Sequence, residues 1–483
     1  MHRSLSPERI AALVGDFPRA PAYRGLCLAL QERIGDGRIP LGCRLPSERA
    51  VAPVLGVSRN TVTRAYADLV SAGFAIARQG SGTFAAVPVE RRRAHDHVLH
   101  PLGSGQSAEG AIDLNCAAGS ATPGVAAAYE RALAALPAYL SSDGYLPSGL
   151  PVLRALIADT YSHRGLPTRA EQIVITSGAL AAIGIAVRAL SRPGDRIAVE
   201  SPVYSNAIEA LRLGGGRLVS APMGDALGAE GWDIDAIDAT LRQTSPRLAY
   251  LIPDFQNPTG FLMADPMRAD YARALHGTRT TAIVDETLQP ILLSDVPMPA
   301  PFACHSRDAI TVGSVSKMYW GGLRVGWLRV SPELVPRLIR ARVQSDLGSS
   351  LFDQLVVAEL LQSPEILQLR REQLRRRRDL LVQALREHLP EWRLRVPEGG
   401  LCLWVQLPRG SATRLAADAE REHVHVAPGP MFNVEGGSDA WLRIPYAKPE
   451  AELTQAVERL ARTWRSLASE SPRERRATRL LIA

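Results

Sequence analysis

Lysine is almost missing from this chain. Of 56 basic residues only Lys317 and Lys448 are lysine, and the rest are arginine. Whatever drives that usage spared Lys317, which sits among small residues and glycines in TVGSVSKMYWGGLRVGW, far from any charged run. Cysteine is scarce too. The five present (Cys27, Cys43, Cys116, Cys304 and Cys402) are odd in number and too far apart for a CxxC site. They read as reduced thiols or small core residues, not as bridges or metal ligands. No apolar run approaches the roughly 18 residues of a membrane-spanning helix. The opening MHRSLSPERIAALVGDF lacks both a continuous apolar core and a small-residue cleavage pattern. The expectation is a cytoplasmic protein with no membrane partner.

What is present describes a globular protein of more than one domain. At 483 residues the chain exceeds the size at which one core usually stops growing. An apolar fraction of 46% and a charged fraction of 22% are ordinary. The net charge of +7 permits an anionic partner. Arginines punctuate residues 44 to 93 and culminate in Arg91, Arg92 and Arg93, a compositional hint of nucleic-acid contact that a solvated linker would share.

The first part of the chain predicts a compact DNA-reading module. Tyr23, Leu26, Leu30 and Ile34 have helical spacing within residues 21–42, which GDGRIPLG stops. LPSERAVAPVLG supplies a second short helix with Ser47 as the cap candidate. In VSRNTVTRAYADLVSAGF, Ser58 is placed to cap a third, Val62, Ala65, Tyr66 and Leu69 form its apolar face, and Gly73 ends it. FAIARQGSGTFAA follows as two strands around a Gly-Ser-Gly turn. Three helices and a hairpin in this order describe a winged helix-turn-helix. Its recognition helix would present Ser58, Arg59, Asn60, Thr61 and Arg64, with Arg78 and Gln79 at the wing. A small helical accessory domain with a solvated arginine face is the plainer alternative.

Residues 87–112 have little periodicity, many charges, then Gly and Ser, and read as a tether. From residue 113 the grammar changes. EQIVITSG, DRIAVESPVY, RLAYLIPD, TAIVDET and DAITVGSVSK are short apolar strands running out into polar residues, Gly or Pro. Helical stretches such as AAIGIAVRAL alternate with them, which predicts an α/β domain with a mostly parallel sheet. Ligands in such folds gather at strand carboxyl ends. From about residue 365 a long Arg/Leu helix leads into a smaller α+β lobe.

Lysine with a lowered pKa forms an imine with an aldehyde, and pyridoxal phosphate is the commonest aldehyde cofactor. The rest of the sequence offers what that cofactor needs. The backbone at Ser177, Gly178 and Ala179 closes a strand and opens a helix, which suits a phosphate. Ser314, Ser316 and Arg324 add hydroxyls and a cation. Asp285 suits the pyridine nitrogen, Asn257 the ring oxygen and Tyr204 the ring face. Each has a duller reading alone, since an aspartate after a strand often caps a helix. Lys317 itself could be a satisfied surface lysine, as Lys448 in YAKPE looks to be.

These motifs carry a resemblance. LPSERAVAPVLGVSRNTVTRAYADLVSAGF with GSGTF resembles the GntR winged-helix pattern over residues 21–86. TSGALAAI, ESPVY, FQNPTG, VDE, GSVSKMYWGGLRVGW and WLRIPYA look like a fold-type I aminotransferase over about residues 113–465. Together they resemble the MocR subfamily of GntR regulators. The implied architecture is a winged helix-turn-helix (15–86), a linker (87–112) and an α/β transferase fold of type I (113–465) whose smaller lobe spans about 365–465. The resemblance makes Lys317 the internal-aldimine lysine, Asp285 the pyridine partner, Asn257 the ring-oxygen donor and Tyr204 the stacking ring. Ser314 and Arg324 would hold the phosphate with the amides near Gly178. Arg443 in WLRIPYA matches the arginine that grips an α-carboxylate, and Arg49 and Arg59 match DNA-contacting arginines. It also implies a head-to-tail homodimer, with Tyr145 a candidate for loan to the partner's pocket.

One departure stands out. Relatives often place a tyrosine two residues past the aspartate, where this chain has Thr287. The function expected is a regulator that binds a double-stranded operator and responds to pyridoxal phosphate or to an amine or amino-acid effector. A working aminotransferase carrying a DNA-binding appendix is the alternative, and a fold retained only for dimerisation a third.

Overall fold

A computed structural model describes residues 4–35, 38–40, 42–78, 80–86 and 111–469. The wing residue Gln79, Arg91–Arg93 and the tether over 87–110 lie outside them. The described residues divide into two compact units, one drawn from Met1–Asn115, Gln406–Leu442 and Glu458–Ala483, the other from Cys116–Val405 and Arg443–Val457.

The amino-terminal module of the first unit has four helices, α1 (Pro7–Val14), α2 (Ala22–Gly35), α3 (Glu48–Val54) and α4 (Arg59–Ser71). They are followed by an antiparallel hairpin, β1 (Ala75–Arg78) and β2 (Gly82–Ala85). Leu26 and Leu30 of α2 and Val62, Ala65 and Leu69 of α4 are fully buried in one apolar cluster. Burying a leucine or valine side chain completely contributes about 1.5–3 kcal/mol, so each of these contacts is a sizeable part of the module's stability. Helix α1 was not expected, although its signature is present: Pro7 takes the first position and the Ser6 hydroxyl accepts from Arg9 N. Its Ile10 and Val14 join the same core. Ser47 precedes α3 as anticipated, but its hydroxyl makes no capping bond.

The second unit is built on a seven-stranded sheet. Its strands are β3 (Ile173–Thr176), β4 (Arg196–Ser201), β5 (Arg217–Pro222), β6 (Leu248–Leu251), β7 (Thr281–Asp285), β8 (Ile310–Ser314) and β9 (Gly326–Arg329). The spatial order is β3-β9-β8-β7-β6-β4-β5. Strand β9 runs antiparallel to both neighbours, and the pairs from β8 to β5 are parallel. Strands β3, β6 and β9 are buried along their whole length, as a sheet covered on both faces requires. Helices α5 (Ala179–Leu190), α6 (Ser205–Leu213) and α7 (Asp265–Gly277) are among the crossovers. Farther on come the long helix α8 (Pro364–His388) and two adjacent strands of a smaller sheet, β10 (Cys402–Gln406) and β11 (Trp441–Pro445). Among the described residues no helix is long and apolar enough to cross a membrane.

An ion pair with both side chains fully buried braces the segment leaving β6. Arg268 Nη2 donates to Asp254 Oδ1 at 2.6 Å, while Nε and Nη1 reach the carbonyls of Met263 and Ala300. This spread of partners satisfies the buried guanidinium, while Asp254 Oδ2 is left without a hydrogen-bond partner.

Candidate cofactor pocket and DNA-binding face

At the carboxyl edge of the parallel strands the chain delivers its polar residues one loop at a time. Strand β8 ends at Ser314, and Lys317 follows three residues later, partly buried, with Nζ donating to the Ala117 carbonyl at 2.9 Å. Burial pushes the Lys317 pKa down. Cys116 opposes the shift, and Arg443, Arg370 and Arg324 reinforce it. A larger share of the amine is therefore unprotonated near neutral pH, the form that attacks a carbonyl.

Asp285 ends β7 and is 5% exposed. Its carboxylate accepts the Tyr250 hydroxyl at 2.7 Å and the Thr287 N–H at 2.9 Å. Burial raises its pKa, and hydrogen bonds from Thr287 and Tyr250, with Lys317, hold it back. A cation at this carboxylate would lower that pKa, which fits the protonated ring nitrogen of pyridoxal phosphate. Thr287, the departure from the familiar pattern, serves Asp285 through its backbone N–H.

Tyr204 follows β4 at the amino cap of α6, and its hydroxyl accepts from Asn206 Nδ2 at 3.0 Å. Burial raises its pKa, against the pull of Asn206 and Arg443. Asn257 lies on the loop after β6, with the Cys402 thiol 4.0 Å from its Oδ1. Cys402 is itself pushed up to about 11 by burial, opposed by Arg443 and Lys317. Arg443, on β11 and 4% exposed, thus shares an electrostatic neighbourhood with Lys317, Tyr204 and Cys402.

An anion cradle completes the set. Gly178 caps α5, whose first residue is Ala179, with φ of +98°, a conformation costly for other residues. Arg324 Nη2 donates to the Ser177 carbonyl at 3.0 Å, and a Cβ on Gly178 would meet that nitrogen at 2.7 Å. Ser314 Oγ accepts from Ser316 N at 3.2 Å and lies the same distance from the Val325 carbonyl, so it fixes the turn as well as offering a hydroxyl. Helix terminus, guanidinium and hydroxyls are the donor set a phosphate needs. A primary amine, a buried carboxylate and this cradle together fit pyridoxal phosphate. Tyr145 is 62% exposed.

Four participants escaped the sequence reading: Tyr250, the Ala117 carbonyl, Cys116 and Cys402. The tyrosine had a visible signal, because a hydroxyl in an otherwise aliphatic strand must find a partner. The others are brought to the lysine only by tertiary folding.

On the amino-terminal module, Ser58 Oγ caps α4 by accepting from Thr61 N at 3.0 Å and lies 2.9 Å from Thr61 Oγ1. Arg59 and Asn60 at the same helix end are exposed, as are Arg49 and Arg78. Two of the candidate DNA-contacting arginines rest on rings: Arg64 lies 3.9 Å from the Tyr23 centroid and Arg78 lies 4.8 Å from that of Phe84. Arg64 thus braces α4 against α2 as well as facing solvent.

Comparison with known proteins agrees with both halves. The family model for class I and II aminotransferases matches residues 126–460, and that for bacterial regulatory proteins of the gntR family matches residues 22–85. A helix-turn-helix-type transcriptional regulator of Escherichia coli (strain K12), YdcR, is 30% identical over 85% of this chain and 92% of its own. The probable rhizopine catabolism regulatory protein MocR of Rhizobium meliloti is 29% identical over 77% of this chain and 78% of its own. A 2-aminoadipate transaminase of Thermus thermophilus is 32% identical over 68% and 82%. Among solved structures, the α-aminoadipate aminotransferase LysN of Thermus thermophilus, complexed with N-(5'-phosphopyridoxyl)-L-leucine, superposes with a TM-score of 0.69 at 28% identity, covering 78% of this chain and 98% of its own. Fold and motifs define a DNA-binding regulator with a type I transferase fold. The chain belongs to the MocR subfamily of GntR regulators.

Proposed function

We propose that this regulator binds operator DNA through Arg49, Ser58, Arg59, Asn60, Thr61 and Arg64, and reads the state of a pyridoxal phosphate attached at Lys317. The observation that carries this reading is the Lys317 amine. It is one of two in the chain, has a lowered pKa, and faces a neighbourhood of Asp285, Arg443 and Arg324. When bound, the cofactor supplies an aldehyde carbon that primary amines can contest. Around it Asp285 would hold a proton at the ring nitrogen, Asn257 would donate to the ring oxygen and Tyr204 would cover the ring. The Gly178–Ala179 amides, Ser314, Ser316 and Arg324 would hold the phosphate. Arg443 would orient the carboxylate of an amino-acid effector. An effector shifts DNA binding only as far as its affinity differs between the two states of the protein.

A head-to-tail homodimer in which Tyr145 is lent to the partner's pocket belongs to this reading, and the exposure of Tyr145 leaves it free for that role. Transamination is the second reading, favoured by the buried Arg443 and the likeness to a transaminase. The decisive experiment titrates pyridoxal phosphate and a panel of amines against operator affinity, with Lys317→Ala as control. The variant should lose all borohydride-trappable cofactor and all response to it. DNA binding that responds equally in both proteins would refute the reading.

A further inference from the structure

Beneath the pocket lies a carboxylate with no part in the roles assigned so far. Glu200, near the end of β4, is fully buried. Three N–H groups converge on it: Trp232 Nε1 donates to Oε1 at 2.7 Å, and Ile252 N and Gln256 Nε2 donate to Oε2 at 3.2 and 3.3 Å. Gln256 is fully buried too. Its amide nitrogen also donates to the Pro202 carbonyl at 2.7 Å, and its Oε1 accepts from Thr259 N at 3.0 Å and Thr259 Oγ1 at 2.8 Å. Pro202 stands two residues before Tyr204, while Gln256 and Thr259 bracket Asn257. One glutamine amide therefore ties together the two segments that carry the candidate ring-stacking and ring-oxygen residues.

We propose that Glu200 is a positioning residue, which acts through Gln256 to set the Pro202–Tyr204 and Gln256–Thr259 segments in the spacing that pyridoxal phosphate binding requires. This rests on the reading that the chain binds that cofactor. Three donors and no acceptor face Glu200, so only an ionised carboxylate accepts them all. A glutamine would turn its NH2 toward at least one of these donors, and a protonated carboxyl would lose accepting capacity and gain an O–H with no acceptor shown for it.

Stability alone does not account for the residue. Burial raises the Glu200 pKa to about 7, with Asp285 adding to the shift and the three donors opposing it. Tyr250 and Tyr271 are the other titratable groups that feel it, both with raised pKa values. A carboxyl raised from 4.5 to about 7 in the fold subtracts stability as pH climbs through that interval. The ionised form is thus a cost to the fold relative to the protonated one.

The test compares pyridoxal phosphate affinity, read by absorbance, and melting temperature of the full chain between about pH 6 and pH 8.5. At the alkaline end Glu200→Gln should weaken cofactor binding about tenfold. The gap should close below about pH 7, where the native carboxyl also protonates. Trp232→Phe removes a donor that touches neither pocket segment, so it should lower the melting temperature and spare cofactor affinity. Gln256→Met, which cuts the link itself, should reproduce the affinity loss and stands in if Glu200→Gln does not fold. Unchanged affinity in both linked variants, or affinity that merely tracks melting temperature across all three, would overturn the proposal. A native chain that takes up no cofactor would instead overturn the reading beneath it, and this inference with it.

Discussion

The two candidate sites in this chain are built in opposite ways. At the amino end of α4 the candidate DNA-contacting side chains Arg59 and Asn60 are exposed, and one serine cap organises the turn that presents them. At the carboxyl edge of the sheet the candidate side chains range from buried Asp285 through half-buried Lys317 to exposed Arg324, and each is tied to a partner: Asp285 to Tyr250 and Thr287, Lys317 to the Ala117 carbonyl, Arg324 to that of Ser177. An exposed site acts through charges that salt screens and that add nearly independently. A buried one acts through coupled groups whose pKa values move together. Changes in the first should therefore be modest and salt-dependent, and in the second large and pH-dependent.

The contrast breaks most visibly at the buried ion pair. Asp254→Ala leaves the Arg268 guanidinium uncompensated, and it should destabilise the cofactor unit by roughly 3–5 kcal/mol in denaturant titration. A loss below about 1 kcal/mol would mean water reaches the pair. Next comes Asp285→Asn, which keeps the shape and removes the charge. It should weaken pyridoxal phosphate binding by about ten- to a hundredfold, the scale of a charge-assisted hydrogen bond, with operator affinity of the cofactor-free protein unchanged. Arg59→Ala should cost about tenfold in operator affinity and lower the salt slope by about one, while the cofactor spectrum stays as it was. The smallest effect is expected of Ser58→Ala. Loss of the cap should destabilise the amino-terminal module by about 1 kcal/mol and leave unfolding of the cofactor unit untouched.

Legibility in the sequence followed the same divide. The head was readable because its signals are local. Helical spacing around Leu26 and Leu30, the Ser58 cap and the Gly-Ser-Gly turn each sit within a few residues of what they determine. Helix α1 is harder to read although Ser6 and Pro7 announce it, since eight residues give barely two turns of apolar periodicity. Ser47 shows the limit of type-based capping: the residue is suitable and the backbone correct, but the hydroxyl makes no capping bond. In the second unit the strands and their polar exits were plain, because parallel strands buried on both faces leave continuous apolar runs. Their mutual partners were not. Ala117 comes from 200 residues before the lysine it accepts, and Glu200 meets Gln256 across 56 residues. No periodicity encodes such pairings. Arg64 on Tyr23 is a milder case, a DNA-contact candidate that also packs the module.

The near-absence of lysine offers the most direct test. The full chain should be incubated with pyridoxal phosphate, reduced with borohydride, digested and mapped by mass. Arginine cannot take the label, so side-chain modification has two destinations. The account predicts reduced cofactor on the peptide carrying Lys317 and none on that carrying Lys448. Label on Lys448, or on neither, would contradict it.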